Sequence, residues 1–319
     1  MLDIYCAGAA APRAKIVYYI GVNGSTTNIN DVIYAAANDT VNNPSVLSIS
    51  WGIGDGTQYD TAFQTCVAKG ITVFVSSGDS GAVNLSMAAT CCSRYVVSAG
   101  GTNVTLDGSN NLTAEVGWGS STGANLLFEG ATGGGMSASI AVPTWQTGLT
   151  YTTTTLTNPT TDPIHATLSS PTSLTHRGVP DWSAPADPAT GYAFYFGGTS
   201  SAQGSFYNGV GGTSASAPFL AGLWVRLTQL LGYRIPFNMT TFYSNSATLF
   251  NDVSTGNNRN GYTAGYVCTD GWDAVTGLGS PKADQIYKYF HTGSTFPKQH
   301  YGFRSATGPA YPRRTTGAR

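Results

Sequence analysis

The sequence predicts an α/β fold in which a parallel β-sheet is covered by helices on both faces. Short apolar, β-branched segments recur through the first hundred residues and alternate with segments of helical character. Strands of such continuous apolar composition are typical of parallel sheets that are buried on both faces. The longest segment with a helical spacing of apolar residues follows a glycine-rich turn, at residues 214–231.

The elements are predicted in chain order. Strands are expected at residues 14–20, 45–51, 71–76 and 95–99; helices are expected at 30–37, with Asn28 or Asn30 as N-cap, and at 59–68, which Gly70 ends. Residues 106–207 are richer in Thr, Gly and Pro and predict loops and short strands, with 151–161 as a surface excursion. Gly232 ends the long helix, and a last short helix is predicted at 283–290.

The domain organisation follows from charge and from the absence of repeats. Residues 1–290 form one predicted domain with ten basic and sixteen acidic side chains, whereas the tail at 291–319 has five basic and no acidic side chains. An acidic body suits work at low pH, where protonation limits charge build-up, and does not suggest a nucleic-acid binder. The tail is expected to be either disordered or an arm that docks on an acidic surface.

The sequence also carries signals of where the protein resides. The chain has no apolar run of eighteen or more residues, so no membrane span is predicted. The start MLDIYCAGAA lacks the basic region and the long apolar region by which a secretory leader is predicted. Six Asn-x-Ser/Thr sequons favour a glycoprotein that is secreted or held in an acidic vesicle; they lie at Asn23, Asn38, Asn84, Asn103, Asn111 and Asn238. Five cysteines without a CxxC pair argue against zinc.

Two polar segments stand where a parallel sheet places functional groups, at the carboxyl ends of strands. Asp79 follows the third predicted strand in SGDSG, and Ser214 opens the long helix in GGTSASAP. Backbone N–H groups at a helix start stabilise developing negative charge, so Ser214 is a candidate nucleophile. A glycine turn with a serine cap would have the same local pattern.

Several segments, taken in order, resemble the sedolisins, the serine-carboxyl peptidases, which share the subtilisin-like fold. The matching segments are LDI at 2–4, APxAxI at 11–16, SISWG at 48–52, SSGDSG at 76–81, GGG at 133–135, RGVPD at 177–181, DPxTGY at 187–192, GGTSASAP at 211–218, GWD at 271–273 and TGLGSP at 276–281. A subtilisin of the ordinary type also needs a histidine early in the chain, and none precedes His165. The resemblance therefore implies a mechanism that uses carboxylates in place of histidine.

The resemblance implies a role for three residues. Ser214 matches the nucleophile, Asp79 the acid that donates to the oxyanion, and Asp3 the relay aspartate that orients the base. The family's base is a glutamate four residues before the relay aspartate, one helical turn away, and here that position lies before Met1. Two carboxylates in contact share a proton, which suits acidic pH.

The position of the base leaves three alternatives open. The chain is a fragment of a longer product, or a propeptide or second polypeptide supplies the glutamate, or the protein is a non-catalytic sedolisin-like structural or interaction module. The match of Ser214, Asp79 and the calcium residues favours a peptidase that acts on peptides or proteins.

The resemblance also implies one structural calcium ion and a peptide-binding cleft. Asp252 and Asp273 would supply carboxylates, and Val253, Thr269 and Gly271 backbone carbonyls; a pair of Asx turns is the alternative. Ser50, Trp51 and Gly52 on one side and Gly133 and Gly134 on the other resemble edges that pair with a bound peptide, unless these glycines only serve turns.

Overall fold

The computed structural model describes residues 1–52, 55–83, 85, 91–119, 130–158, 162–197 and 205–292. Its helices are α1 (Leu2–Ala10), α2 (Thr26–Asn38), α3 (Asp60–Ala68), α4 (Thr213–Leu231), α5 (Met239–Ser244), α6 (Ser246–Leu249) and α7 (Ala283–Thr292). Its strands are β1 (Val46–Ile49), β2 (Thr72–Ser76), β3 (Val97–Leu106), β4 (Leu112–Gly117), β5 (Gly135–Ala141), β6 (Thr150–Asn158), β7 (Asp162–Leu168), β8 (Thr172–Ser173), β9 (His176–Val179), β10 (Trp182–Pro185), β11 (Tyr192–Phe196), β12 (Ser205–Val210), β13 (Phe250–Asn251), β14 (Ala264–Val267) and β15 (Ser280–Pro281).

A central sheet carries the fold. Strands β1, β2, β3 and β10 lie side by side in that order and are all parallel, and β4 runs antiparallel to β3. Side chains of β2 alternate between two cores. Phe74 packs with Trp182 of β10 and with Trp224 of α4, whereas Val73 and Val75 pack with helices α2 and α3. The predicted single-domain parallel sheet with helices on both faces is confirmed.

Most elements of the sheet agree with the sequence. The predicted strands at 45–51, 71–76 and 95–99 correspond to β1, β2 and β3, and the helix predicted at 59–68 corresponds to α3. Helix α4 ends where predicted, because Gly232 adopts a left-handed conformation with φ 75° that closes the helix. Gly70, with φ 67°, does the same after α3.

The strand predicted at residues 14–20 is wrong. These residues form no strand, and Ile16, Tyr18 and Ile20 are 43%, 68% and 79% exposed. An apolar, β-branched segment favours an extended backbone, but a strand also needs a neighbour with which to pair. Among the described residues no strand pairs with this segment.

Two further expectations are corrected. Helix α2 begins at Thr26 with Ser25 as its N-cap, because the Ser25 hydroxyl accepts from the Asn28 N–H; neither Asn28 nor Asn30 is the cap. Within the expected surface excursion at 151–161, residues 151–158 instead belong to strand β6, which pairs with β7, β8 and β14, and residues 159–161 lie outside the described residues. Alternate side chains of β6 are buried, as its β-branched composition permits: Thr152, Thr154 and Leu156.

The last described helix ends just past the predicted domain boundary. Helix α7 runs to Thr292, two residues past the predicted domain boundary, and residues 293–319 of the predicted tail lie outside the described residues. Within the described ranges, no helix combines the length and apolar character needed to cross a bilayer.

Candidate active site

The candidate nucleophile lies at the start of α4, the helix that packs on the central sheet. Ser214 is the second residue of the helix and is half-buried, and none of the other described residues forms a hydrogen bond with its Oγ. Gly212 precedes the helix with φ 98°, and a Cβ there would lie 2.7 Å from Asp79 Oδ2. The turn before Ser214 therefore admits only glycine at this position.

Asp79 reaches the same helix start from the end of β2. Its Oδ1 accepts from the Thr213 backbone N–H at 2.7 Å and from Thr213 Oγ1 at 2.8 Å. Thr213 Oγ1 in turn accepts from the Gly78 N–H at 2.9 Å. Because Gly212 has no side chain, the carboxyl of Asp79 caps α4 in its place.

Asp3 approaches from the other side, in the first turn of α1. Helix α1 packs closely against α4, where a Cβ on Gly222 would lie 2.7 Å from Ala10 Cβ. Asp3 Oδ1 accepts a short hydrogen bond from Ser50 Oγ, which lies 3.3 Å from the backbone oxygen of Ser214. Ser50 therefore links Asp3 to the backbone of Ser214, the candidate nucleophile, a contact that the sequence did not predict.

A thiol lies one turn along α1 from Asp3. Cys6 is 1% exposed, and burial, with a smaller contribution from the Asp3 charge, raises its pKa to about 12. The side chain is therefore a neutral packing group, not a competing nucleophile. All five cysteines are buried as thiols.

The first predicted edge of a peptide cleft lies at the surface, close in the chain to Asp55. Trp51 is 40% exposed and Gly52 is exposed. Three residues beyond Gly52, the Asp55 carboxylate accepts from Ser137 Oγ and from the Ala138 N–H, both at 2.7 Å. These two hydrogen bonds join Asp55 to strand β5.

Gly133 and Gly134, which directly precede β5, are buried. A Cβ on either glycine would lie 2.0 Å from a backbone oxygen, that of Ser77 or of Ala274. Backbone packing therefore explains why these positions hold glycine. Their contact with a peptide stays a prediction.

The five candidate calcium ligands lie on two loops that contact each other. Asp252 Oδ2 accepts from the Gly271 N–H at 2.7 Å, and Thr276 Oγ1 lies 3.3 Å from both the Val253 oxygen and Asp273 Oδ1. Asp273 Oδ2 also accepts from the Thr269 N–H at 3.1 Å. These hydrogen bonds join each aspartate to the loop at residues 269–276.

The two aspartates differ in their surroundings. Asp252 is exposed, whereas Asp273 is fully buried, and burial raises the pKa of Asp273 to about 7 against partial opposition from the N–H groups of Thr276, Val275 and Thr269. No cationic side chain pairs with Asp273 in the described part of the chain. In those same residues no three His, Cys, Asp or Glu side chains form a metal-binding group.

A buried ion pair lies next to the central sheet. Arg177 Nη2 lies 2.5 Å from Asp181 Oδ2, and both side chains are fully buried. Asp181 also accepts from the Tyr243 hydroxyl at 2.6 Å and from the Ser98 N–H at 2.8 Å, so it ties β3 to the residues before β10. The sequence signal for this pair was a charged i,i+4 pair within otherwise apolar residues.

No described histidine side chain contacts Ser214, Asp79 or Asp3. His176 is hydrogen-bonded to Thr175, and His291 lies against Tyr287 on α7. The side chain of His165 and the whole of His300 lie outside the described residues. In the described part of the chain, the ionisable side chains found near the start of α4 are therefore the carboxyl groups of Asp79 and Asp3.

The sequence is similar to a known family and to curated peptidases. A sequence profile of the subtilase family matches residues 3–279. Kumamolisin from Bacillus sp. (strain MN-32) is 33% identical over 294 residues, which cover 88% of this chain and 48% of that protein. Sedolisin from Pseudomonas sp. (strain 101) is 28% identical over 309 residues, which cover 90% of this chain and 47% of that protein.

The fold comparison agrees with the sequence comparison. A structure of Pseudomonas sedolisin, a serine-carboxyl proteinase complexed with two molecules of pseudo-iodotyrostatin, superposes with a TM-score of 0.69 and 26% identity. The match covers 91% of this chain and 77% of that one. The chain spans about half the length of these two curated relatives.

Proposed function

The chain belongs to the sedolisins, the serine-carboxyl peptidases of the subtilase family, and from this premise we propose that it hydrolyses peptide bonds at acidic pH through an acyl-enzyme on Ser214. The observation that carries the proposal is the approach of two carboxylates, Asp79 and Asp3, to the start of α4, where Ser214 lies. Histidine would already be protonated in acid, whereas a carboxylate still accepts a proton there.

The proposed roles follow from the contacts. Ser214 attacks the carbonyl carbon of the substrate while its hydroxyl proton passes to the base, and the carbonyl oxygen becomes an oxyanion. The C–N bond then breaks, the amine leaves with the proton from the base, and water hydrolyses the resulting ester on Ser214. The oxyanion is stabilised by the helix start and by a protonated Asp79, which donates a hydrogen bond as a neutral acid. Asp3 holds the base in orientation, and Ser50 holds Asp3.

The base is proposed to be a glutamate one helical turn before Asp3, outside the 319 residues. Helix α1 begins at Leu2, and one further turn at its N-terminus would place that residue on the same face as Asp3. A propeptide segment or a second polypeptide could supply the same group. Two adjacent carboxylates share one proton, so the pair works in acid.

The substrate is proposed to be a peptide or protein that binds in extended form between two edges. Ser50, Trp51 and Gly52 form one edge, and Gly133 with Gly134 the other. The exposure of Trp51 and Gly52 supports contact on the first side. Burial of the two glycines gives the second side less support.

One structural Ca²⁺ is proposed between the two loops described above. Asp252 and Asp273 would provide carboxylates, and Val253, Thr269 and Gly271 carbonyl oxygens, the hard ligands that Ca²⁺ prefers. The residues fit this ion, because a fully buried carboxylate without a cationic partner is costly unless a charge compensates it. The ion would join the two loops and take no part in the reaction.

Acid chemistry and the sequons support a secreted or acid-vesicle glycoprotein. The side-chain amide nitrogens of three sequon asparagines already donate hydrogen bonds: Asn38 to the Tyr34 oxygen at 2.9 Å, Asn103 to Asp187 at 2.8 Å and Asn111 to Asp107 at 2.9 Å. A glycan at any of these three would have to replace its hydrogen bond. Asn84 lies outside the described residues, so among the described sequons we expect modification first at Asn23 and Asn238.

The test is a pH profile of peptide hydrolysis with protein expressed from its full coding sequence. A quenched fluorescent peptide should be cleaved fastest well below neutral pH, and Ser214→Ala should abolish cleavage without lowering the melting temperature. Ser244→Ala, on the exposed end of α5, is the matched control and should keep full activity. An optimum at neutral pH, or a fully active Ser214→Ala, would disprove the mechanism; peptide binding without turnover would favour the non-catalytic module.

A further inference from the structure

We infer that Thr213 is a positioning residue that fixes the orientation of the Asp79 carboxyl, so that Oδ2 is the oxygen presented to the substrate. The inference rests on the proposed function and adds to it a residue that acts through Asp79. It concerns which of two chemically equivalent oxygens carries the proton that the oxyanion needs.

The first step is the direction of the Thr213 hydroxyl. A hydroxyl has one hydrogen to donate, and it also accepts through its lone pairs. The Gly78 N–H donates to Thr213 Oγ1 at 2.9 Å, so this contact uses a lone pair and leaves the hydrogen available. Asp79 Oδ1, at 2.8 Å, is the acceptor that receives it.

The second step is the difference that this creates between the two oxygens of Asp79. Oδ1 accepts from both the N–H and the hydroxyl of Thr213. An oxygen that accepts two hydrogen bonds has no room for a proton of its own, because its lone pairs are occupied. When Asp79 is neutral, its proton therefore resides on Oδ2 and is available for donation.

The third step is the space around Oδ2. This oxygen lies beside the Cα of Gly212, where a side-chain carbon would approach it to 2.7 Å. Gly212 precedes the helix of the nucleophile by one residue, so Oδ2 lies near the first N–H groups of α4. The Thr213 N–H already donates to Asp79 Oδ1 and the Ala215 N–H to the Gly212 oxygen, whereas the Ser214 N–H, which has no hydrogen-bond partner among the described residues, is oriented in advance as an oxyanion site requires.

The contact joins residues 134 positions apart, so it also ties the end of β2 to the start of α4. A merely structural role would affect stability, whereas a positioning role affects the transition state selectively. The distinction can be measured because serine keeps the hydroxyl of Thr213 and alanine removes it.

The experiment compares Thr213→Ala with Thr213→Ser, with Thr228→Ala as control. Thr228 is also buried in α4 but lies fifteen residues further on, about 22 Å along the helix axis. We expect Thr213→Ala to lower kcat by up to about 10²–10³-fold, the effect of losing one oxyanion donor, with KM nearly unchanged. Thr213→Ser should recover most of kcat, and Thr228→Ala should leave kcat unchanged.

Crystal structures of the two Thr213 variants at the pH of maximal activity provide a readout that does not depend on turnover. The Asp79 carboxyl should rotate or adopt two conformers in Thr213→Ala and keep its orientation in Thr213→Ser. An unmoved carboxyl in Thr213→Ala, or an equal loss of kcat in both variants, would overturn the inference. If the parent protein has no peptidase activity, the proposed function fails, and the crystal structures still decide whether Thr213 orients Asp79.

Discussion

Stability without calcium should fall as the pH rises, because of Asp273. Burial raises the pKa of this carboxyl from its usual value of 3.8 to about 7. Between these two values the unfolded chain releases the proton while the folded protein keeps it. Stability is therefore fully present below pH 3.8 and is lost as the pH rises through about 7.

The magnitude follows from the size of the shift. A difference of about three pKa units corresponds to about 4 kcal/mol of unfolding free energy. For a domain of this length that is about 6 °C in melting temperature, if the unfolding entropy per residue is ordinary. Bound Ca²⁺ would neutralise the ionised carboxylate, so adding calcium should restore more stability at pH 7 than at pH 4.

The assay is thermal unfolding of calcium-depleted protein, followed by circular dichroism from pH 3.5 to pH 7.5 with and without added CaCl₂. Other carboxylates also titrate in this range, so the relevant quantity is the difference between the parent protein and Asp273→Asn. The unfolding free energy of the parent, taken relative to that of Asp273→Asn, should fall by about 4 kcal/mol as the pH rises across the range. Asp252→Asn, which alters an exposed carboxylate, should retain the parent's pH dependence in the calcium-free state. If Asp273→Asn and the parent show parallel pH curves, the reasoning about Asp273 is refuted.

Three other predictions concern packing, the cleft and the tail. Gly222→Val should lower the free energy of unfolding in urea by about 1–3 kcal/mol, because α1 leaves no space beside α4 at this position. Gly24→Ala, which has open space around it, should not lower it, and equal stability of the two variants would contradict the close packing of α1 on α4. Asp55→Ala should raise KM for peptides more than it lowers kcat, since it releases one edge of the cleft from β5; an unchanged KM would remove Asp55 from peptide binding. Deleting residues 293–319 should leave the melting temperature and kcat unchanged, and unfolding of the truncated protein would place the tail in the core.

The sequence predicted the elements whose local pattern agrees with their surroundings. The continuous apolar composition of residues 71–76 predicted β2 with both faces covered, and the helical spacing that ends at Gly232 predicted α4 nearly to the residue. The prediction of a strand at 14–20 was wrong because apolar composition does not specify a strand with which to pair. The prediction of a surface excursion at the threonine-rich β6 was wrong because polar composition does not by itself mean exposure, and alternate side chains of this strand are buried.

The candidate site was predictable as a set of residues but not as a set of contacts. Asp79 and Ser214 stood out because each follows a strand or opens a helix. The bonds from Ser50 to Asp3 and from Thr213 to Asp79 join residues 47 and 134 positions apart, and no local pattern encodes them. The same holds for Asp55, which precedes its partner Ser137 by 82 residues.

The most direct test of the account is to trap and locate the acyl-enzyme. Protein expressed from its full coding sequence would be mixed at acidic pH with a p-nitrophenyl ester of an acyl dipeptide, quenched in acid within the burst phase and digested for mass spectrometry. The account predicts one acyl group per chain on Ser214, and none in Ser214→Ala. Turnover without an adduct, or an adduct on any other residue, would contradict the assignment of Ser214 as the nucleophile.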